Sequence, residues 1–209
     1  MSSRSTPVKP VLRVGIMGGT FDPIHNGHLK AADAARTAMQ LQKVIFVTAH
    51  CPPHKSLQEL TPVAHRHAMV ELALKDKAYC EASRIEAERS CPTYAGDTIR
   101  YYKERLGTGG EVFFITGLDA LLTIITWDNA RTYPGICYFI AATRPGCDRE
   151  RIKKNIPVDF LPSITILEEP GLSISSTDIR SRVKDHRSIK GMVPEAVRKY
   201  IANKGLYLN

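Results

Sequence analysis

The sequence predicts an α/β protein with an open, mostly parallel sheet and helices on both faces. Short apolar runs alternate with stretches of helical periodicity, and strands linked through helices pair in parallel by right-handed crossovers. The run Lys43–Thr48 is too apolar to have one wet face, which is typical of a strand covered on both faces. A Gly-rich loop follows the first apolar run, residues 11–17. Loops at the carboxyl end of a strand are where α/β sheets bind their ligands.

The first part of the chain is predicted to contain three strands and two helices. Thr61 supplies a helix N-cap and Pro62 a proline at the first helical position, which predicts a helix over residues 62–75. The other elements follow from apolar periodicity. We expect strands over residues 11–17, 43–48 and 82–88, and a first helix over residues 27–40.

The second part repeats this alternation. Gly107 and Gly205 each end a helical pattern. We expect helices over residues 97–106, 118–127, 175–184 and 194–203, and strands over residues 111–116, 137–143 and 163–167. Since no linker or repeat interrupts the pattern, the prediction is a single domain over residues 1–209, with residues 1–10 as a flexible tail.

Composition and charge restrict the class of protein. The chain has 209 residues and a net charge of +8, and no apolar run reaches the ~18 residues of a membrane helix. The first ten residues lack the apolar stretch of a signal peptide, so we expect a cytoplasmic protein. The charge is +5 over residues 1–66, −2 over 67–143 and +5 over 144–209, which indicates nucleic acid or a small anion as ligand.

The five cysteines form no C-x-x-C pair. A paired zinc site and a secreted disulfide framework are therefore not expected. The prediction is that all five are reduced thiols.

The most informative segment is the loop of residues 18–29, with the sequence GGTFDPIHNGHL. Gly18 and Gly19 allow backbone N–H groups to approach a phosphate, and the start of the next helix adds a favourable dipole. His25 and His28 are three residues apart across the helix start, so both can face one point beyond the strand. Two imidazoles there can donate hydrogen bonds to anionic oxygens or titrate near neutral pH.

This loop is neither of the common phosphate-binding motifs, G-x-x-x-x-G-K-[ST] or G-x-G-x-x-G. A metal site on the two histidines is an alternative, but no cysteine or carboxylate stands beside them at ligand spacing. The loop therefore predicts a phosphate site without a protein-held metal.

The chain resembles the nucleotidyltransferase superfamily marked by (H/T)-x-G-H, and within it the bacterial nicotinate-nucleotide adenylyltransferases. Further matching segments follow in the family's order from about residue 11 to the C-terminus. They are Pro52-Pro53-His54-Lys55, Pro92-Thr93-Tyr94, Asp97-Thr98, Phe114-Ile115-Thr116-Gly117-Leu118-Asp119, Trp127, Arg144-Pro145-Gly146 and Ile174-Ser175-Ser176-Thr177-Asp178-Ile179-Arg180. The resemblance implies the Rossmann-like nucleotidyltransferase fold and the transfer of AMP from ATP to nicotinate mononucleotide in NAD biosynthesis.

That reaction needs positioning and charge stabilisation more than covalent help, so attack without a covalent enzyme intermediate is expected. The resemblance implies catalytic roles for His25, His28, Lys55 and Arg180, with Mg²⁺ carried by the nucleotide phosphates. Its implied ATP-binding residues are Gly18, Gly19, Thr20, Phe21, His25, His28, Gly117, Asp119, Ser175, Ser176, Thr177 and Arg180. Its implied mononucleotide-binding residues are Thr20, His54, Lys55, Thr93, Tyr94, Ala95, Thr98, Trp127 and Arg144.

Some of these residues also have purely structural interpretations. Ser175 and Asp119 suit helix N-caps, and a lone Trp127 suits a core as well as a stacking platform. The chain has Thr93-Tyr94-Ala95 where the family usually has Ser-Tyr-Thr, and Asp128 where many relatives have an aromatic residue. Both departures bear on the choice of nicotinate over nicotinamide.

Other functions remain as alternatives. The closest are phosphopantetheine adenylyltransferase and the cytidylyltransferases of glycerol 3-phosphate or phosphocholine. The hypothesis of a nucleic-acid-binding module is supported only by the net charge and by the basic residues 180–190, and the sequence lacks a basic strand interleaved with aromatic residues. We therefore expect no nucleic-acid partner and no membrane partner. His65 and His67 are expected to be solvated, and the sequence leaves open whether the chain forms homo-oligomers.

Overall fold

A computed structural model describes residues 11–52, 58, 60–126, 130–143, 154–168 and 174–208. Its six strands form one sheet in the order β3-β2-β1-β4-β5-β6, and every neighbouring pair is parallel. The strands are β1 (Leu12–Gly19), β2 (Lys43–Thr48), β3 (Cys80–Ser83), β4 (Gly110–Gly117), β5 (Tyr138–Thr143) and β6 (Ile164–Glu168). The predicted α/β fold class is confirmed.

The crossovers between strands carry the helices, and two further helices follow β6. They are α1 (Asn26–Met39), α2 (Val63–Leu74), α3 (Ala95–Leu106), α4 (Leu118–Ile124), α5 (Ser176–Lys184) and α6 (Glu195–Lys204). Among the described residues, no helix combines the length and the apolar composition needed to cross a bilayer.

Alternate residues of the central strands enter two separate cores, one on each face of the sheet. Met17 of β1 packs in the core beneath α1, α2, α5 and α6, together with Leu29, Val70 and Ile179. Its neighbour Ile16 packs in the opposite core, beneath α3 and α4. Burial on both faces explains why β1, β2 and β4 are apolar in consecutive positions.

Two predicted elements differ from their expected bounds by three residues or more, and the others by two at most. The third strand was expected over residues 82–88, but β3 is Cys80–Ser83 and residues 85–88 form turns. As an edge strand it pairs only with β2, and the turn lets Glu86 reach Thr98. The helix expected over residues 118–127 ends at Ile124, with residues 127–129 outside the described part of the chain.

The strand order reverses direction between β1 and β4. From β1 the chain proceeds to β2 and β3 on one side, whereas β4, β5 and β6 extend to the other. Loops at the carboxyl ends of two such strands diverge and leave a crevice in which open α/β sheets bind ligands. Gly18 and Gly19, which end β1, and the loop that follows them lie at this crevice.

Candidate active site

Two clefts meet at the carboxyl ends of β1 and β4. The histidine cleft, of about 490 Å³, is bounded by His25, His28 and the start of α5. The threonine cleft, of about 220 Å³, is bounded by Thr93, Ala95 and Glu86. Both share one wall, formed by Gly18, Gly19, Thr20, Thr116 and Ala120. Two ligands that fill these clefts therefore face each other across this shared wall.

His25 and His28 lie together in the histidine cleft, as the H-x-G-H spacing predicts. Their rings stack with centroids 3.7 Å apart. The backbone N–H of His25 donates to Nδ1 of His28 at 3.2 Å, which places the proton of the neutral His28 ring on Nε2. Nε2–H is then the hydrogen-bond donor that His28 offers to a ligand.

Burial keeps both imidazoles uncharged at neutral pH. Desolvation lowers the pKa of His25 to about 4. Desolvation, and then the proximity of His25, holds the pKa of His28 well below its ordinary value. Of the two roles considered for the pair, titration near neutral pH is therefore wrong for the free protein, whereas donation to anionic oxygens fits the geometry.

The glycines of the loop allow close approaches that a side chain would prevent. A Cβ on Gly27 would lie 3.0 Å from Cε1 and Nδ1 of His25, so any larger residue would push the His25 ring away from the helix start by a few tenths of an ångström. A Cβ on Gly19 would lie 2.7 Å from the Phe21 ring. Phe21, predicted to bind ATP, has its side chain only 2 % exposed and packed edge-on against His28, so its ring supports the histidine.

Arg180 connects helix α5 to this loop. Its Nη1 donates to the carbonyl oxygen of Asp22 at 2.8 Å, and Nη2 donates to Oγ1 of the exposed Thr177 at 3.4 Å. The carboxylate of Asp22 accepts hydrogen bonds from the hydroxyl of Tyr207 at 2.7 Å and from the backbone N–H of Thr61 at 3.2 Å. The guanidinium therefore lies beside the loop that leads to His25.

Helix α5 begins at the histidine cleft. Ser175 is its N-cap, and Oγ accepts from the backbone N–H of Asp178 at 3.1 Å. Oγ of Ser176 donates to the carbonyl oxygen of Pro23 at 2.9 Å. Both serines line the cleft, so the capping role of Ser175 does not exclude a contact with a ligand there.

Gly117 lies at the wall of the histidine cleft, and Asp119 follows two residues later. Gly117 is also the N-cap of α4, so Asp119 does not have the capping role considered for it. Asp119 is exposed in the first turn of α4, next to the lining residue Ala120. A carboxylate at this place can accept hydrogen bonds from the hydroxyls of a ribose.

The threonine cleft is closed by the start of α3. Thr93 is buried and lines the cleft together with Ala95, whereas Tyr94 is the exposed N-cap of the helix. The first-turn N–H groups and the positive end of the helix dipole can attract an anion to this position.

Thr98, predicted to contact the mononucleotide, has its hydroxyl turned inward. The residue is 1 % exposed, and Oγ1 donates to Oε1 of Glu86 at 2.6 Å and accepts from Nη1 of Arg89 at 3.2 Å. Glu86 is itself buried and lines the threonine cleft. Thr98 is therefore placed to act through Glu86 rather than by its own contact.

Arg66 is a residue that sequence reasoning missed. Its guanidinium, in a side chain only 1 % exposed, donates to the carbonyl oxygens of Thr20, Ala49, His50 and Thr61 at distances between 2.6 and 3.1 Å. It thereby joins the loops after β1 and β2. A basic residue on a surface-type helix gives no sequence signal of such a contact.

The expectation that His65 and His67 are solvated is wrong for His67. It is 1 % exposed, and Nδ1 lies 3.2 Å from Oγ1 of Thr48 at the end of β2. Burial lowers its pKa. Nδ1 of the half-buried His65 lies 2.9 Å from the hydroxyl of Tyr200. Helix α2 contacts both β2 and α6, so successive faces of the helix are covered.

The expectation of five free thiols is wrong for Cys51 and Cys91, which form a disulfide with a Cα–Cα distance of 5.4 Å. They are 40 residues apart in sequence, but they follow the neighbouring strands β2 and β3, whose carboxyl ends lie together. Cys80 and Cys137 are free.

Several expected site residues lie outside the described residues. They are His54, Lys55, Trp127 and Arg144, together with Asp128 and Cys147. Pro52, immediately before this group, lines the threonine cleft.

Comparison with known proteins identifies the family. Residues 16–182 match the cytidylyltransferase-like family. A protein of Moorella thermoacetica named probable nicotinate-nucleotide adenylyltransferase is 48 % identical over 198 residues, which are 93 % of this chain and 91 % of that protein. A protein of the same name from Desulfitobacterium hafniense is 44 % identical over 95 % of this chain and 97 % of its own length.

Solved structures share the fold. The Plasmodium falciparum nicotinic acid mononucleotide adenylyltransferase, complexed with NaAD, superposes with a TM-score of 0.76 at 24 % identity, covering 94 % of this chain and 97 % of that one. From its family match and the identity to its relatives over nearly the full length, the chain belongs to the nicotinate-nucleotide adenylyltransferase family of nucleotidyltransferases.

Proposed function

We propose that this protein transfers the adenylyl group of ATP to nicotinate mononucleotide, giving deamido-NAD and pyrophosphate in NAD biosynthesis. The histidine cleft takes ATP and the threonine cleft takes the mononucleotide. The observation that carries the proposal is the wall of Gly18, Gly19 and Thr20 shared by the two clefts. A phosphate oxygen of one nucleotide can meet the α-phosphate of the other there.

The reaction joins two anions, so the main task of the protein is to align them and stabilise added negative charge. The acceptor phosphate attacks the α-phosphorus in line, the bond to the β,γ-pyrophosphate breaks, and no covalent enzyme intermediate forms. Nε2–H of His28, oriented by the bond that Nδ1 accepts, donates to an α-phosphate oxygen, with His25 stacked behind it. Bound phosphate favours protonated imidazoles and raises their pKa values.

The start of α5 and Arg180 complete the ATP side. The first-turn N–H groups of α5 bind phosphate oxygens in line with the helix dipole. Arg180 is held beside Asp22 by the hydrogen bond from Nη1. Its positive charge offsets the negative charge of the transferring phosphates.

Mg²⁺ fits this site as an ion carried by the nucleotide. The described lining of the histidine cleft contains hydroxyls, such as those of Thr20 and Ser175, but no carboxylate. An ion that prefers oxygen ligands would thus be held by phosphates and water, so we propose no protein metal ligands. When bound, Mg²⁺ supplies charge neutralisation on the phosphate oxygens.

The pyridine substituent is recognised at the start of α3. The N–H groups in the first turn of α3 donate to a carboxylate, whereas a carboxamide presents its own donors to them. Ala95 lacks the hydroxyl of the usual family residue, so we expect the preference for nicotinate to rest on backbone donors alone. His54, Lys55, Trp127 and Arg144 stay predicted contacts of the same substrate.

We further propose one nucleotidyltransferase domain in a cytoplasmic protein. The partners of this domain are ATP and a pyridine mononucleotide, with neither nucleic acid nor membrane among them. Similarity over nearly the full length of the relatives supports the domain assignment.

The test is pyrophosphate release from ATP and Mg²⁺ with one acceptor at a time. We expect rapid release with nicotinate mononucleotide, slower release with nicotinamide mononucleotide, and none with phosphopantetheine or glycerol 3-phosphate. Release with phosphopantetheine but not with either pyridine mononucleotide would overturn the proposal.

A further inference from the structure

The Cys51–Cys91 disulfide joins the two loops that form one wall of the threonine cleft. Cys51 directly precedes Pro52, and Cys91 lies two residues before Thr93; both Pro52 and Thr93 line that cleft. The bond is thus two residues or fewer from the proposed acceptor site on each side. Neither cysteine takes part in the adenylyl transfer described above.

Two hydrogen bonds run beside the disulfide. The backbone N–H of Thr93 donates to the carbonyl oxygen of Cys51 at 3.1 Å, and the N–H of Cys51 donates to Oγ1 of Thr93 at 3.3 Å. Without the covalent link, the loops would be held by these two bonds and by the contact of 3.2 Å between Nδ1 of His50 and the carbonyl oxygen of Arg89. The disulfide therefore pre-organises the position of Thr93, and with it the start of α3.

The disulfide is open to thiol chemistry from one side. Cys91 is exposed, whereas Cys51 is 5 % exposed. A thiolate can attack Sγ of Cys91, and the electron pair of the S–S bond passes to Sγ of Cys51, which takes up a proton. The second thiol of a dithiol reductant then releases Cys91, so that the reductant leaves as a disulfide and the protein holds two thiols.

We propose that Cys51 and Cys91 form a reversible thiol–disulfide site that tunes the affinity of the threonine cleft for the acceptor mononucleotide. Its reaction partner is a small dithiol or a dithiol protein. Disulfides in reducing compartments are typically transient and redox-sensing, which agrees with the proposed cytoplasmic location. The inference rests on the proposed function, because its effect is on acceptor binding.

The other described cysteines provide an internal control. Burial raises the pKa of the Cys80 thiol to about 11 and that of Cys137 to about 12. Thiols with raised pKa values react slowly at neutral pH. Mild alkylation after reduction therefore distinguishes the exposed Cys91 from these two.

The experiment compares oxidised and reduced wild-type protein, with loss of the bond verified by mass spectrometry after alkylation. Reduction should raise KM for nicotinate mononucleotide roughly threefold or more through lost pre-organisation, with KM for ATP and kcat changed less than about twofold. The double variant Cys51→Ser/Cys91→Ser should match the reduced protein and no longer respond to reductant. Cys80→Ala should respond like the wild type.

Equal acceptor KM values for the oxidised and reduced wild-type protein would overturn the inference. If neither form released pyrophosphate with any pyridine mononucleotide, the proposed function itself would fail instead. His50, Cys51 and Cys91 offer ligand atoms within 4.8 Å of one another, so the assays are run with and without added Zn²⁺. A change in KM that requires Zn²⁺ would overturn the redox site in favour of a metal site.

Discussion

Replacing Arg66 with methionine removes the guanidinium that joins the two loops at the active site while filling most of its volume. Four carbonyl oxygens lose their donor, those of Thr20, Ala49, His50 and Thr61. Asp22 loses a nearby positive charge that its carboxylate favours. The first two carbonyls belong to residues that line the clefts, so the change should affect both stability and catalysis.

The magnitude follows from the number of acceptors. A buried acceptor deprived of its donor destabilises by about 1 kcal/mol or more, and the four acceptors together give about 4 kcal/mol. Contacts of the methionine side chain with its apolar neighbours return about 1 kcal/mol. The expected loss in the free energy of unfolding is therefore about 3 kcal/mol. The Arg66→Lys variant should lose less free energy of unfolding than Arg66→Met but should still be less stable than the wild type, because one ammonium cannot reach all four acceptors.

Urea unfolding followed by circular dichroism measures this loss, and pyrophosphate release measures catalysis in the same variants. Arg198→Met is the matched control: it also removes an arginine, but within the described part of the chain Arg198 forms its ion pair with Glu195, on an exposed helix face. Its unfolding midpoint should not change measurably. An Arg66→Met protein that unfolds within about 1 kcal/mol of the wild type with unchanged kcat/KM would refute the reasoning.

Three further predictions concern the histidine cleft. His28→Ala should lower kcat by about 10²-fold or more through loss of the Nε2–H donor while the circular dichroism spectrum is kept; near-normal turnover would remove His28 from the mechanism. Arg180→Ala should raise KM for ATP more than KM for the mononucleotide, and equal effects would count against a phosphate role. Burial lowers the pKa of His25 to about 4, so the unfolded chain binds a proton that the folded chain does not between pH ~6.5 and ~4. The contribution of His25 to the free energy of unfolding should therefore be complete above pH ~6.5 and fall by roughly 3 kcal/mol as the pH drops to ~4. A wild-type urea midpoint that falls no more steeply over this range than the midpoint of His25→Gln would contradict this.

The sequence predicts well those features that depend on neighbours in the chain. The loop containing Gly18, Gly19, His25 and His28 combines a strand end, a turn and a helix start, so its chemistry is visible locally. The same holds for Ser175 at the start of α5, where a cap and an anion site use one set of N–H groups.

The features that were missed depend on contacts between distant segments. Arg66 and His67 are polar residues on a helix that two other layers cover, and Tyr207 reaches Asp22 across 185 residues. The pairing of Cys51 with Cys91 depends on the order of β2 and β3 in the sheet. None of these contacts follows from spacing, because the partner is set by topology.

The most direct test of the central claim is to follow an adenine-labelled ATP with nicotinate mononucleotide and Mg²⁺, and to identify the products by mass spectrometry. Two nucleotides that meet at Gly18, Gly19 and Thr20 should give labelled deamido-NAD and one pyrophosphate for each product molecule. Labelled AMP or ADP in place of the dinucleotide would contradict the account, because the label would then have been transferred to water or left behind by a γ-phosphoryl transfer.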